Sequence, residues 1–233
     1  MRNGAIHCND CPSRSKGVFC ALGAPELDLL ERAHHGLHHP KGSYIFLAGN
    51  PPLGIYALVS GKVKLTKVGR GGKRQIVRIL GPGDLLGHRS LMADQPYRAT
   101  AEALEDCRLC YVDKAAFFSV LRSSERAALA FYRKLCLDLG EAEESLYRLS
   151  RLSVKRRLAA ILVDLQDRFG GADSILGVAL TREELGDLAG TTLETAIRTF
   201  RSFQKFGWVE GRGNGLKILD RAPLEKLAGR DLS

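Results

Sequence analysis

No stretch of the 233 residues approaches the ~20 consecutive apolar residues that a membrane-spanning helix needs. Met1 to Asp10 is polar and lacks the apolar core of a secretory signal, so the sequence reads as that of a cytoplasmic protein. There is no internal repeat and no low-complexity tract, which excludes solenoids and compositionally biased chains. Also missing are a nucleophile–base constellation, a Walker phosphate loop and a dinucleotide-binding fingerprint. The expectation is therefore a non-enzymatic protein.

What remains is an ordinary globular composition, 45% hydrophobic and 26% charged, long enough for one large domain or two modest ones. The formal charge of +9 favours a polyanionic partner such as nucleic acid. That argument is weak by position, because residues 151–233 hold 14 Lys and Arg against 11 Asp and Glu.

The periodicity changes twice along the chain. From Pro25 to His35, Leu27, Leu30 and Ala33 recur at helical spacing. His34, His35, His38 and His39 follow where that helix should end, and they read as surface residues at a helix C-terminus. Short runs rich in Ile, Val, Leu and Tyr then predict strands at 43–48, 55–59, 62–68, 75–80, 98–102 and 108–112. Glycine-bearing turns separate them, Ser60-Gly61 and Gly81-Pro82-Gly83-Asp84 among them. Many short strands at this spacing make a small barrel or sandwich.

After Asp113 the pattern is helical. Between Ser124 and Leu152 there is no proline and one glycine, Gly140. Tyr132, Leu139 and Leu146 fall seven apart, as do Leu135, Ala142 and Leu149, which is the a/d seam of a coiled coil. A homodimer is the expected partner arrangement, the alternative being that the seam packs on its own β domain. Cys136, one position past the seam, is expected to be buried and inert.

A helix over 154–169 stops at Gly170-Gly171, and two more follow at 181–189 and 192–206. Thr181 and Glu184 fit a capping box, Gly186 is small where two helices meet, and Gly190 supplies a left-handed turn. Strand-like 208–210 and 216–219 flank a glycine-rich turn. Helix, helix, short hairpin is a winged helix-turn-helix. Thr192 caps its second helix, and Glu194, Thr195 and Arg198 project together from the first turns. Arg198 suits a guanine edge and Glu194 a cytosine amine; Arg201 and Lys205 are placed for phosphates. Leu185, Leu188, Leu193, Ala196 and Phe200 form the apolar layer beneath.

Six cysteines are many for a cytosolic chain. Cys8, Cys11 and Cys20 crowd the N-terminus, with Cys107, Cys110 and Cys136 further on. Four thiolates satisfy either an iron–sulfur cluster or a structural zinc ion, and simple redox thiols are a third reading.

The segment "TREELGDLAGTTLETAIRTFRSFQKFGWV" resembles the signature of the CRP/FNR transcription regulators, whose recognition helix carries Glu-Thr-x-x-Arg. Here those residues are Glu194, Thr195 and Arg198. The likeness runs from Ile6 to the C-terminus and includes "KGSYIFLAGN", "YALVSGKVKL" and "GPGDLLG". It implies an α+β chain: an N-terminal double-stranded β-helix (a cupin-like β-roll), a long dimerisation helix and a C-terminal winged helix-turn-helix. The divisions expected are a cysteine-bearing loop 1–23, a sensor domain 24–122, the dimerisation helix 123–152 and the DNA-binding domain 153–233.

The resemblance further implies double-stranded DNA with an inverted-repeat operator and RNA polymerase as partners. Ile197 stands where cyclic-AMP-responsive members carry Gly and FNR proteins often carry Ser. An isoleucine meets a thymine methyl but donates nothing to a base. Cyclic-nucleotide members anchor their ligand with Gly-Glu and Arg-Ser or Arg-Thr pairs. Gly87-His88 and Arg98-Ala99 occupy those places here, Thr100 serving only if the register slips, so no cyclic nucleotide is expected.

"IHCNDCPSRSKGVFC" is similar to the cluster loop of FNR proteins, which bind an oxygen-labile [4Fe–4S] cluster. The ligands this implies are Cys8, Cys11, Cys20 and, from "ALEDCRLCYV", Cys110. Cys107 is its competitor and should face the other way by strand alternation. In that picture low oxygen favours the ordered loop, the dimer and DNA binding. The other readings are a zinc, thiol, haem (through His88) or small-molecule sensor on the same regulator, and, outside regulation, an iron–sulfur electron carrier.

Overall fold

The computed structural model describes residues 11–13, 17–18, 22–171, 175–212 and 215–230. It divides into two compact units. One comprises residues up to 68 together with 78–140, the other 69–77 together with residues from 141 onward.

The first unit opens on α1 (Ala24–Ala33), which carries Pro25 in its first turn and buries Leu27 and Leu30. Proline suits a first turn, where its missing N–H has no helical partner to lose. The strands are β1 (His34–His39), β2 (Tyr44–Phe46), β3 (Gly54–Ser60), β4 (Val63–Val68), β5 (Arg74–Leu80), β6 (Leu85–Leu86), β7 (Thr100–Ala103) and β8 (Cys107–Asp113). A short helix, α2 (His88–Met92), precedes β7. The sheets run β1-β8-β3-β6 and β2-β7-β4-β5. Pairing is thus nested, first strand with last and fourth with fifth, as when one long hairpin is rolled up into a double-stranded β-helix.

Alternation gives each strand an inner and an outer face. Ile45, Leu58, Val63, Leu80, Leu86, Ala101, Ala103, Cys107 and Leu109 fill the inside of the roll. On the outer face of the first sheet, Ile55, Leu85 and Val112 join Leu27 and Leu30 in a second core. That core also takes Phe117 and Val120 from α3 (Lys114–Ser123) and Ala127 and Phe131 from α4 (Glu125–Arg151). Asp113 caps α3, accepting from the Ala116 amide at 2.9 Å.

Helix α4 carries two stripes. Ala127, Phe131, Lys134 and Asp138 recur at intervals of three and four and face the roll: the first two are buried. Asp138 accepts from Arg78 at 2.6 Å, from Lys134 at 2.5 Å and from His88 Nε2 at 3.0 Å. Lys134 also lies 3.6 Å from Asp84. The adjoining stripe is bare: Tyr132 is 56%, Leu139 61% and Leu146 68% exposed. Ala142 and Leu149 are exposed as well, whereas Leu135, on the border, packs partly into the outer core.

The second unit contains α5 (Val154–Phe169), α6 (Arg182–Ala189), α7 (Leu193–Lys205), the hairpin β9 (Val209–Arg212) and β10 (Gly215–Ile218), and α8 (Ala222–Ala228). Its core is Leu158, Leu162, Val163, Leu185, Ala196, Phe200, Phe203, Val209, Leu216 and Leu224. Full burial of one such side chain contributes about 1.5–3 kcal/mol. Asp164 of α5 binds both Arg148 of α4 and Arg230, and Asp167 binds Arg221 and Arg230.

Two expectations are corrected, for Cys136 and Leu193, and one strand went unforeseen. The histidines follow the end of α1 at Ala33, with His35 and His38 exposed and His34 Nδ1 lying 3.2 Å from the Leu30 carbonyl, but His34–His39 also pair with β8 as an edge strand. Backbone pairing with β8 outweighs the weak local signal of a His-rich run. Cys136 is exposed, not buried, because it lies outside the stripe that meets the roll. Leu193 is 45% exposed, since the first turn of α7 projects beyond the core that Ala196 and Phe200 enter. In the described residues no helix is long and apolar enough to cross a membrane.

The Asp138 cluster sets a pH dependence. Burial alone would raise the carboxyl, but hydrogen bonds from His88, Arg78 and Lys134 hold it well below the usual carboxylate range. Its stabilisation is therefore complete above the unfolded value of ~3.9 and is lost as pH falls below it. At neutral pH, Asp138→Asn is expected to destabilise the first unit by about 2–3 kcal/mol. Denaturant unfolding should show that gap closing below about pH 4; a gap that stays constant contradicts the assignment.

Candidate DNA-reading surface and thiol site

The reading helix is built by local chemistry. Thr181 and Glu184 form the capping box of α6: the Thr181 amide donates to Glu184 Oε2 at 2.8 Å, and the Glu184 amide to Thr181 Oγ1 at 3.1 Å. Helix α6 ends at Gly190, whose φ of 62° is left-handed, a conformation that glycine adopts without strain. Thr192 then caps α7, accepting from the Thr195 amide at 3.3 Å and donating to Thr195 Oγ1 at 3.1 Å. A Cβ placed on Gly186 would meet Thr191 O at 3.4 Å and Ala196 Cβ at 3.5 Å, so the two helices cross tightly there.

On the outer face of α7, Glu194, Arg198, Arg201 and Lys205 are exposed, with Thr195 and Ile197 half-buried between the exposed row and the core. Ala196, Phe200 and Phe203 bury the opposite side. The candidate base-reading and phosphate-contacting side chains thus share one accessible helix face above a rigid apolar layer. Of the hairpin that follows, residues 213 and 214 lie outside the described residues.

Three positioning residues escaped the sequence reading. Arg157 donates to the Ala189 carbonyl at 2.7 Å, to Leu152 at 2.7 Å and to Gly190 at 3.3 Å, pinning the turn between α6 and α7. Arg182 lies 4.7 Å over the Phe200 ring. Lys155 lies over both Phe206 and Trp208, whose rings stack at the end of α7. All three are long cations satisfied by carbonyls or rings, and nothing in their local sequence marks those partners.

The thiol site lies on β8. Cys107 points into the roll, fully buried, its Sγ donating to Glu105 O at 3.1 Å and Lys62 O at 3.3 Å. Cys110, three residues on, takes the outer face and is partly buried. Its cross-strand neighbour on β1 is Gly36, where an added Cβ would meet nothing within 4 Å. The Cys110 thiol is pushed up to about 11, first by burial and then by Cys11 and Glu31, with Arg108 opposing. Cys11 is thus within electrostatic reach of Cys110, and its own Sγ lies 3.2 Å from Ser13 Oγ. Cys8 and Cys20 lie outside the described residues. Among the described residues no three His, Cys, Asp or Glu converge as metal ligands.

Known proteins match both the roll and the helix-turn-helix. Residues 37–124 match the cyclic nucleotide-binding domain and residues 156–227 the Crp-like helix-turn-helix domain. The electron transport regulator A of Shewanella oneidensis is 30% identical across 97% of this chain and 91% of its own length. The chain belongs to the CRP/FNR family of transcription regulators. The fumarate and nitrate reduction regulatory protein of Vibrio cholerae is 29% identical, over 97% of this chain and 91% of that protein. The structure of FixK2 from Bradyrhizobium japonicum superposes with a TM-score of 0.76 at 25% identity, covering 83% of this chain and 96% of that one.

Gly87 is left-handed and precedes α2, and His88, 6% exposed, spends its Nε2 on Asp138 of α4. Arg98 is exposed and donates to Gln95 Oε1 at 3.5 Å.

The cap of the reading helix is testable by itself. Thr192→Ala removes the acceptor for the Thr195 amide and is expected to cost about 1 kcal/mol of stability. Thr192→Ser should restore most of it. Thermal unfolding of the full chain followed at Trp208, the only tryptophan, reads this directly.

Proposed function

We propose that this regulator binds an inverted-repeat DNA site as a homodimer, and that an oxygen-labile [4Fe–4S] cluster held by Cys8, Cys11, Cys20 and Cys110 switches that binding. The observation that supports the cluster assignment is that Cys110, the thiol the family resemblance implies, takes the outer face of β8 while Cys107 points into the roll. A redox-sensing cysteine needs a depressed thiol pKa to react. Burial moves Cys110 the opposite way, whereas a metal centre supplies the positive charge that deprotonates such a thiol. The hydrogen bonds of Cys107 inside the roll support Cys110 over it as the fourth ligand.

The bare Tyr132–Leu139–Leu146 stripe, with Leu135, Ala142 and Leu149 beside it, supports dimerisation through α4. Leaving large apolar side chains more than half exposed along a helix is costly unless a partner covers them. A two-fold pair of α7 helices then presents Thr192, Glu194, Thr195, Ile197, Arg198 and Arg201 to successive major grooves, about 34 Å apart. Arg198 donates to a guanine edge, Glu194 accepts from a cytosine amine, and Ile197 packs on a thymine methyl. Residues 1–23 serve as the ligand loop, 24–122 as the sensor, 123–152 as the dimer helix and 153–233 as the DNA-binding domain. The setting is the cytoplasm, with RNA polymerase as the partner in transcription and no cyclic nucleotide as ligand. The cluster, when bound, ties the loop to the roll and makes that tie sensitive to oxygen.

The names of similar proteins support the same reading, among them the anaerobic regulatory protein of Haemophilus influenzae. Cys110→Ser is expected to abolish the difference in DNA affinity between anaerobic and air-exposed protein. Cys107→Ser should retain that difference. Fluorescence anisotropy on a DNA site selected from random sequence measures both. An air-sensitive Cys110→Ser variant sinks the ligand assignment.

A further inference from the structure

Asp138 is a carboxylate on α4 clamped by three donors that come from separate places. Arg78 belongs to β5, His88 to the start of α2, and Lys134 to the preceding turn of α4 itself. The side chains of all four are 20% exposed or less. The fifth member, Asp84, stands in the Gly81–Asp84 turn, where its Oδ2 accepts from the Gly81 amide at 3.0 Å. Below it, Phe131 meets the edge of the His88 ring, with 6.0 Å between centroids.

The consequence is geometric. On a helix of 3.6 residues per turn, Asp138 and Phe131 share one stripe, and Tyr132, Leu139 and Leu146 share the neighbouring one. A hydrophobic contact such as Phe131 tolerates rotation of the helix about its axis, because dispersion and burial are not directional. A carboxylate hydrogen-bonded to Arg78 and His88 of the roll does not tolerate it. The cluster therefore fixes the azimuth of α4, and with it the direction in which the bare seam points.

We propose that Asp138 is a positioning residue that sets the rotation of α4 on the roll and thereby aims the Tyr132–Leu139 seam at the partner copy. The roll side of the clamp consists of the β5 strand and the α2 entry, so a shift of either is transmitted as a turn of the seam. This rests on the reading of α4 as the homodimer helix, and adds to it the residue that orients the helix.

The test uses the full chain, purified without oxygen, in three forms: wild type, Asp138→Asn and Asp138→Glu. Sedimentation velocity over a concentration series gives the dimer dissociation constant, and hydrogen exchange of 127–140 reports how firmly that part of α4 is held. Asp138→Asn keeps the volume but removes the negative charge that Arg78, His88 and Lys134 share. Its dimer constant is expected to rise about tenfold or more, well below its unfolding temperature. Exchange over 127–140 should accelerate in parallel, and Asp138→Glu should recover most of both.

A stability role alone would lower the melting temperature and leave the dimer constant of the folded protein unchanged. That result overturns the inference, as does unchanged exchange over 127–140. Should Asp138→Asn fail to fold, His88→Gln, which alters one donor of the three, is read in the same way with a smaller expected rise. Wild-type protein that remains monomeric at every concentration overturns the dimer reading itself, and this inference with it.

Discussion

Helix α4 has two adjoining apolar stripes and the chain has only one surface to offer them. Ala127 and Phe131 are consumed by the outer core of the roll, while Tyr132, Leu139 and Leu146 are left bare. The rest of the molecule depends on this division. If both stripes were satisfied internally, the helix would have no reason to seek a second copy, and a single helix-turn-helix has too little contact with DNA to read a site of useful length. The exposed stripe is the surface that the proposed homodimer would cover.

The same economy governs β8. A strand that closes a roll must place alternate residues inside, and Cys107 and Leu109 are spent there. Arg108, Cys110 and Val112 then face outward, and only Val112 is covered by the helical layer. Cys110, the thiol that the proposed cluster would use, sits partly buried beside Gly36. The His88–Asp138 contact lies on the other flank of the layer, so the roll grips α4 through a directional polar clamp and an apolar floor together.

Much of this was legible in the sequence, for physical reasons that differ by element. The heptads of 132–149 and the bounds 154–169 are long periodic signals that packing reinforces. The capping box at Thr181 and the left-handed Gly190 are determined within a few residues, where local hydrogen bonds decide the conformation. Cys110 was separable from Cys107 because an odd spacing on a strand means opposite faces. The His34–His39 strand was not legible, since its support is pairing with Cys107–Val112, far along the chain. Nor was the Asp138 cluster, whose members span Arg78 to Asp138 and acquire meaning only when the roll closes. Leu193 was misplaced by extending a buried stripe one turn past the end of its core. The N-terminal ligand loop remains a matter of resemblance and spacing for Cys8 and Cys20.

The central claim is that cysteine ligation on the outer face of β8 makes this regulator responsive to oxygen. The most direct measurement is iron and acid-labile sulfide per chain in protein purified without oxygen, with the visible spectrum taken before and after air. The account predicts about four of each and a broad charge-transfer absorption that bleaches in air. No iron and no sulfide after anaerobic reconstitution would contradict it, leaving a DNA-binding CRP/FNR regulator whose thiols do something else.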